Sequence, residues 1–111
     1  MPNLRKPDVA PEDGMSSTHT ARVRHILDRI RAIPEGSVST YGDIDPTAPR
    51  LVGRILATIH DEVPWHRVVR ADGSVPMGAR QLDLLRQEGV PLRGDRVDLK
   101  LARVPDVWLT Q

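Results

Sequence analysis

"VPWHRVV", Val63–Val69, decides how this chain is read. Val68 and Val69 are β-branched and read as a short buried strand. Before them a Trp stands between a Pro and a His in a chain that contains no cysteine. Trp65 is either a core aromatic or the wall of a site. After the strand, "RADGS", Arg70–Ser74, carries the Asp-Gly of a β-turn. "ARQLDLLRQEG", Ala79–Gly89, reads as a helix with Leu82 and Leu85 inward and Gly89 as its C-terminal stop. "RGDRVDLKL", Arg93–Leu101, is expected to form a last extended piece, and "PDVWLTQ" a tail with a second Trp.

On the N-terminal side of the motif, "RLVGRILATIH", Arg50–His60, reads as a helix. Val52, Ile55, Leu56 and Ile59 form its apolar face at helical spacing. Arg50, Gly53, Arg54 and Ala57 form the other, which is small and basic. Small residues admit a second surface closely, and guanidinium groups grip phosphate, so this face suits DNA as well as solvent. "DPTAP", Asp45–Pro49, is a tight connection to "SVSTYGDI", Ser37–Ile44, which begins β-branched and is expected to break at Gly42. A further helix precedes it, capped by Ser17 or Thr18 and ended by Pro34. Val23, Ile26, Leu27 and Ile30 face inward there, with Arg22, Arg24, Asp28, Arg29 and Arg31 opposite.

The fold class is therefore mainly α with short β elements: a small winged-helix or helix-turn-helix domain over residues 18–111. Residues 1–17, rich in Pro and Asp, read as a flexible lead-in without the apolar stretch of a signal peptide. At 111 residues the chain holds one domain able to bury a core, which must be built from Leu, Ile and Val because Phe is absent. The lack of Cys excludes disulfides, thiolate metal sites and a thiol nucleophile, and fits a cytoplasmic protein. No stretch approaches the roughly 20 apolar residues of a membrane helix. The net charge of +1 does not by itself announce a nucleic-acid partner, although nearly all of the 16 basic residues are Arg. No metal-spaced histidines, Ser nucleophile or Gly-rich phosphate loop are present, so no cofactor or metal is expected. A general acid–base pair of His66 with Asp72 or Glu88 is the weak enzymatic alternative. A regulator reading operator sequence through a winged helix is the stronger one, although the chain offers no long apolar helix for dimerisation.

"IPEGSVSTYGDI", "APRLVGRIL", "VPWHRVV" and "LLRQEGV", in that order, resemble the DNA-binding domain of the O6-alkylguanine-DNA alkyltransferases. The resemblance covers about Thr20 to Val90. Those proteins carry Cys, the alkyl acceptor, where this chain has Trp65, and the match is nearest to the alkyltransferase-like proteins, which have Trp there. The resemblance implies non-enzymatic binding of O6-alkylguanine in duplex DNA, minor-groove base flipping and a hand-over to nucleotide excision repair proteins, by a monomer. It implies that Tyr41 meets the phosphate of the target nucleotide and that Arg50 inserts where the base was. Gly53 then allows close approach, and Arg54 contacts phosphate. The implied lesion pocket comprises Trp65, His66, Arg67, Val68, Met77, Arg80 and Glu88. His66 and Glu88, without a thiol to activate, become a hydrogen-bonded remnant in which Asn or Gln would differ little. Some alkyltransferase-like proteins sense the lesion with an Arg near "VPMGARQ"; Gly78 falls at about that point, and Arg80 is the candidate. The Tyr41–Arg50 connection is shorter than in the family, so "DPTAP" replaces most of the first helix of the helix-turn-helix.

Overall fold

The computed structural model describes residues 20–59, 62–105 and 108. The lead-in over residues 1–17, the caps Ser17 and Thr18, and His60 at the end of the second expected helix lie outside the described residues.

Residues 20–31 form helix α1, with Ile26 and Ile30 wholly buried and Val23 and Leu27 packed against them. Strand β1, Ser39–Thr40, pairs in parallel with β2, Val68–Val69, in the register Ser39↔Val68 and Thr40↔Val69. This pairing brings the two segments flanking Tyr41 and Trp65 side by side. Helix α2, Tyr41–Ile44, follows β1 directly because Thr40 caps it, its Oγ1 accepting from the Asp43 N–H at 3.1 Å. Gly42 therefore sits inside a helical turn, and the expected break of the extended run comes two residues earlier, after Thr40.

Helix α2 is a single turn, and its short length explains a second departure from expectation. Arg29, assigned by periodicity to the solvent side of α1, is only 7% exposed. Its Nε donates to the Ile44 carbonyl at 2.7 Å and its Nη2 to the Asp43 carbonyl at 2.6 Å. Carbonyls at a helix end lack partners within the helix, and a cation there also opposes the negative pole of the backbone dipoles. The "DPTAP" connection is held in the same way. Asp45 accepts from Arg22 through both carboxylate oxygens at 3.1 Å and from the Thr47 N–H at 3.1 Å. Helix α3, Pro49–Ile59, then begins with Pro at its first position and buries Val52, Ile55 and Leu56.

A turn of 3-10 helix, Trp65–Arg67, leads into β2, and helix α4 spans Ala79–Gln87. Gly89, at φ +79°, closes α4: its N–H bonds the Arg86 carbonyl at 3.0 Å, and the Val90 N–H bonds Leu85 at 3.0 Å. The expected single extended piece after Val90 divides into a hairpin and a helix. Strands β3, Leu92–Arg93, and β4, Arg96–Val97, pair antiparallel around Gly94. Asp98 then caps helix α5, Leu99–Ala102, by accepting from the Lys100 N–H at 3.1 Å. The hairpin docks tightly on the "RADGS" turn. A Cβ on Gly73, which has φ +85°, would lie 2.4 Å from the Val97 carbonyl oxygen.

The apolar interior has two parts. One gathers Ile26, Ile30, Val52, Ile55, Trp65 and Val68 between α1, α3 and the Trp65 turn. The other gathers Val38, Val69, Leu85, Val90 and Val97 beneath α4 and the hairpin. Helices with short strands thus make up the expected fold class.

Candidate nucleic-acid interface

The pieces converge on a cavity of about 90 Å³ lined by Tyr41, Gly53, Leu56, Ala57, Trp65, Met77 and Gln81. That is several times the volume one water molecule requires, and the walls are mostly apolar. Tyr41 enters from the first position of α2, Gly53, Leu56 and Ala57 from α3, and Gln81 from α4. Trp65 is 9% exposed and belongs to the core cluster as well as to the cavity wall, so it is both of the things its sequence context suggested. Burial pushes the Tyr41 hydroxyl pKa up, against an opposing pull from the Arg70 charge, which keeps it a hydrogen-bond donor.

The outer face of α3 borders this cavity. Arg50 and Arg54 are exposed on it, and α3 has no acidic residue in its first turn. Among the described residues, no hydrogen bond or ion pair engages either side chain. A Cβ on Gly53 would only reach ordinary contact, 4.0 Å from Tyr41 Cε1. The chain itself therefore does not require glycine here; the absent side chain leaves room on the outside.

Behind Trp65 lies a second arrangement. The Glu88 carboxylate meets His66 Nε2 at 2.7 Å. It accepts from Arg67 Nε at 3.0 Å, from Arg67 Nη2 at 2.9 Å and from the Gly36 N–H at 3.3 Å. Arg67 Nη1 donates to the Ile33 carbonyl at 2.8 Å. Burial pushes the Glu88 carboxyl up, but the hydrogen bonds from Arg67, His66 and Gly36 outweigh it and bring its pKa down to about 2. The His66 ring stands edge-on to Trp65 with centroids 5.9 Å apart, so the network braces the cavity wall from behind. The expectation that a neutral amide would serve equally at position 88 fails on this geometry. An amide nitrogen cannot accept, and Arg67 would keep a nearly buried charge without a counterion.

Of the residues singled out in the sequence, Tyr41, Gly53, Trp65 and Met77 line the cavity. Arg80 stands over the Trp65 ring, with its Cζ 5.5 Å from the centroid. Arg50 and Arg54 lie on the adjoining face of α3. His66, Arg67 and Glu88 are grouped behind the wall rather than in it. Val68 is wholly buried in β2 and contributes no wall.

Gln81 was missed. It is 1% exposed; its Nε2 donates to the His66 and Val68 carbonyls at 3.1 and 2.8 Å, and its Oε1 accepts from the Met77 N–H at 3.0 Å. One side chain thus ties the Trp65 turn, β2 and the Met77 loop to α4. Its position four residues before Leu85 was the available signal, because it puts a polar side chain on the buried face of α4.

Comparison with known proteins agrees with this architecture. Residues 21–90 match the family model of the 6-O-methylguanine DNA methyltransferase DNA-binding domain. The chain is 33% identical over 112 residues to the DNA base-flipping protein of Escherichia coli, covering 87% of each protein. It is 38% identical over 80 residues to alkyltransferase-like protein 1 of Schizosaccharomyces pombe, spanning 60% of this chain and 74% of that one. The crystal structure of S. pombe Atl1 in complex with damaged DNA containing O6-carboxymethylguanine superposes with a TM-score of 0.66 at 30% identity. That match covers 78% of this chain and 97% of the other. The chain belongs to the family of the 6-O-methylguanine DNA methyltransferase DNA-binding domain, and within it is an alkyltransferase-like protein.

Proposed function

We propose that this protein binds O6-alkylguanine in duplex DNA from the minor groove, turns the lesion into the cavity against Trp65, and leaves the alkyl group in place. The observation that carries this reading is the largely apolar cavity lying beside a basic helix face whose charges are not neutralised among the described residues. The arginines of that face supply the charge that a phosphate backbone attracts. Arg50, at the start of α3, works against the local helix dipole and has a planar group able to fill the gap left by an extruded base. The Tyr41 hydroxyl, protonated and at the cavity edge, donates to the phosphate of the turned nucleotide. Gly53 lets the groove approach, and Arg54 holds a phosphate.

Transfer to the protein would need a soft, activatable nucleophile, and the indole of Trp65 is not one. The protein is therefore read as a sensor rather than a transferase, and the same proposal has it act as a monomer in the cytoplasm. A lesion that is bound but unrepaired must be passed on, and nucleotide excision repair proteins are the proposed recipients.

The test is a gel-shift comparison of matched duplexes with and without one O6-methylguanine, the methyl carrying a radiolabel. Tighter binding of the damaged duplex, with all label remaining on the DNA, is expected. Label on the protein would refute the sensor reading, and equal affinity for both duplexes would favour a sequence-reading regulator.

A further inference from the structure

The parallel pairing of β1 with β2 joins two side chains beyond its last register position. Thr40 stands opposite Val69, so Tyr41 and Arg70 are the next residues on the two strands and leave the pair side by side. Tyr41 lines the cavity. Arg70 is exposed and lines an adjoining depression with Ser74, Val75, Gly78 and Ala79, residues of the segment that carries Met77 to the cavity. The Arg70 charge pulls the Tyr41 hydroxyl pKa down against the effect of burial, so the guanidinium lies within electrostatic reach of that oxygen.

Most of the donors of Arg70 are open. Among the described residues its side chain makes one hydrogen bond, from Nη1 to the Ser74 hydroxyl at 3.3 Å, and no carboxylate pairs with it. Asp95 shares the depression without bonding to it. Asp72, in the same turn, is engaged elsewhere: one oxygen accepts from the Ser74 N–H at 2.9 Å and from its hydroxyl at 2.6 Å, and the other faces Arg96 at 3.5 Å. The backbone beneath Arg70 is fixed, its N–H donating to the Ser74 carbonyl at 3.0 Å and its carbonyl accepting from the Gly73 N–H at 2.8 Å. A cation is thus held beside a protonated phenol at the edge of the cavity.

We propose that Arg70 is a second phosphate-binding residue of this site and that it grips, together with Tyr41, one phosphodiester of the turned nucleotide. The inference rests on the lesion-binding reading above and adds to it a residue outside α3. A phenol hydroxyl gives a phosphate one hydrogen bond and no charge. A guanidinium supplies the charge and two parallel donors that match two phosphate oxygens. Turning a nucleotide out of the stack costs unstacking and unpairing, and a charged grip on its own phosphate offsets part of that cost.

The test places a single neutral methylphosphonate at each phosphate around one O6-methylguanine in turn. Dissociation constants are measured at several salt concentrations for the wild type, Arg70→Gln, Tyr41→Phe and Arg93→Gln. Arg93 is an exposed cation on the hairpin that makes no bond among the described residues, so its variant controls for loss of charge alone. Arg70 is exposed too, and thermal melting verifies that the variants are folded. On the all-phosphate duplex Arg70→Gln should bind about fivefold to tenfold more weakly than the wild type, with a salt dependence shallower by about one unit. One methylphosphonate position should weaken the wild type and Arg93→Gln by a similar factor and leave Arg70→Gln little changed. Tyr41→Phe should lose part of its sensitivity at that same position. Wild-type affinity in Arg70→Gln overturns the proposal. So does an Arg70→Gln variant that binds weakly yet stays as sensitive as the wild type at every position, or one whose insensitive position differs from that of Tyr41→Phe. A wild type that binds damaged and undamaged duplexes equally refutes the lesion-binding reading and this inference with it, and that result is recognised before any variant is compared.

Discussion

Arg67 and Arg50 stand near the same cavity, yet the molecule treats them oppositely. Arg67 lies behind Trp65, largely buried, and donates twice to Glu88 and once to the Ile33 carbonyl. Arg50 lies on the open face of α3 with no acceptor among the described residues. The first charge is neutralised inside the fold and contributes to its shape. The second meets no acceptor among the described residues, which is the feature the proposed DNA contact uses. Both sit in motif-like stretches, so motif membership alone does not tell a structural cation from a binding one; the acceptors around it do.

Substitutions that exchange these two roles would break the comparison. The largest effect is expected from Glu88→Gln. It leaves Arg67 nearly buried without its counterion, and removing one partner of such a pair costs about 3–5 kcal/mol. Urea unfolding should show a matching fall in stability, and a loss below about 1 kcal/mol would mean that solvent replaces the carboxylate.

Acid sharpens the same point. The folded Glu88 carboxyl titrates at about 2, below its ordinary 4.5. A depressed carboxyl adds stability that is present above its unfolded pKa and is lost as the pH falls through the folded one. At most roughly 3 kcal/mol, reduced by whatever solvent screening remains around the carboxylate, should therefore disappear between pH 4.5 and pH 2. Unfolding curves across this range should show the wild type and Glu88→Gln converging; parallel curves would place the acid sensitivity elsewhere.

On the open face the expected effect moves from stability to binding. Arg50→Ala should alter stability by no more than about 0.5 kcal/mol, as for other exposed substitutions. It should weaken binding to an O6-methylguanine duplex by about 1–3 kcal/mol, by analogy with base stacking. Tyr41→Phe keeps the ring against Gly53 and loses only the hydroxyl, so its binding loss should be smaller, about 1 kcal/mol. Titrations of both variants against the same duplex provide the ranking, and wild-type affinity in both would remove these residues from the interface.

The sequence alone determined the elements whose signals are local. The 3.6-residue spacing of Val52, Ile55 and Leu56 fixed the buried face of α3, and with it the exposure of Arg50 and Arg54. Val68–Val69 announced β2, Gly89 the end of α4, and the four ordered motifs the family. Tertiary structure decided what depends on partners distant in the chain. Arg29 looked solvent-facing until the one-turn α2, some 14 residues on, presented its unpaired carbonyls. The stretch after Val90 could not be divided into hairpin and helix by composition, because docking on Gly73 and capping by Asp98 set the boundaries. Gln81 reads as an ordinary polar helix residue and becomes a buried clamp only where the Trp65 turn brings two carbonyls to its amide. The cavity is likewise a product of assembly: its walls come from α2, α3, the Trp65 turn, the Met77 loop and α4. Local periodicity tells which side of a helix is covered, whereas the unpaired donors and acceptors that decide a buried polar residue's role are created only when separate segments meet.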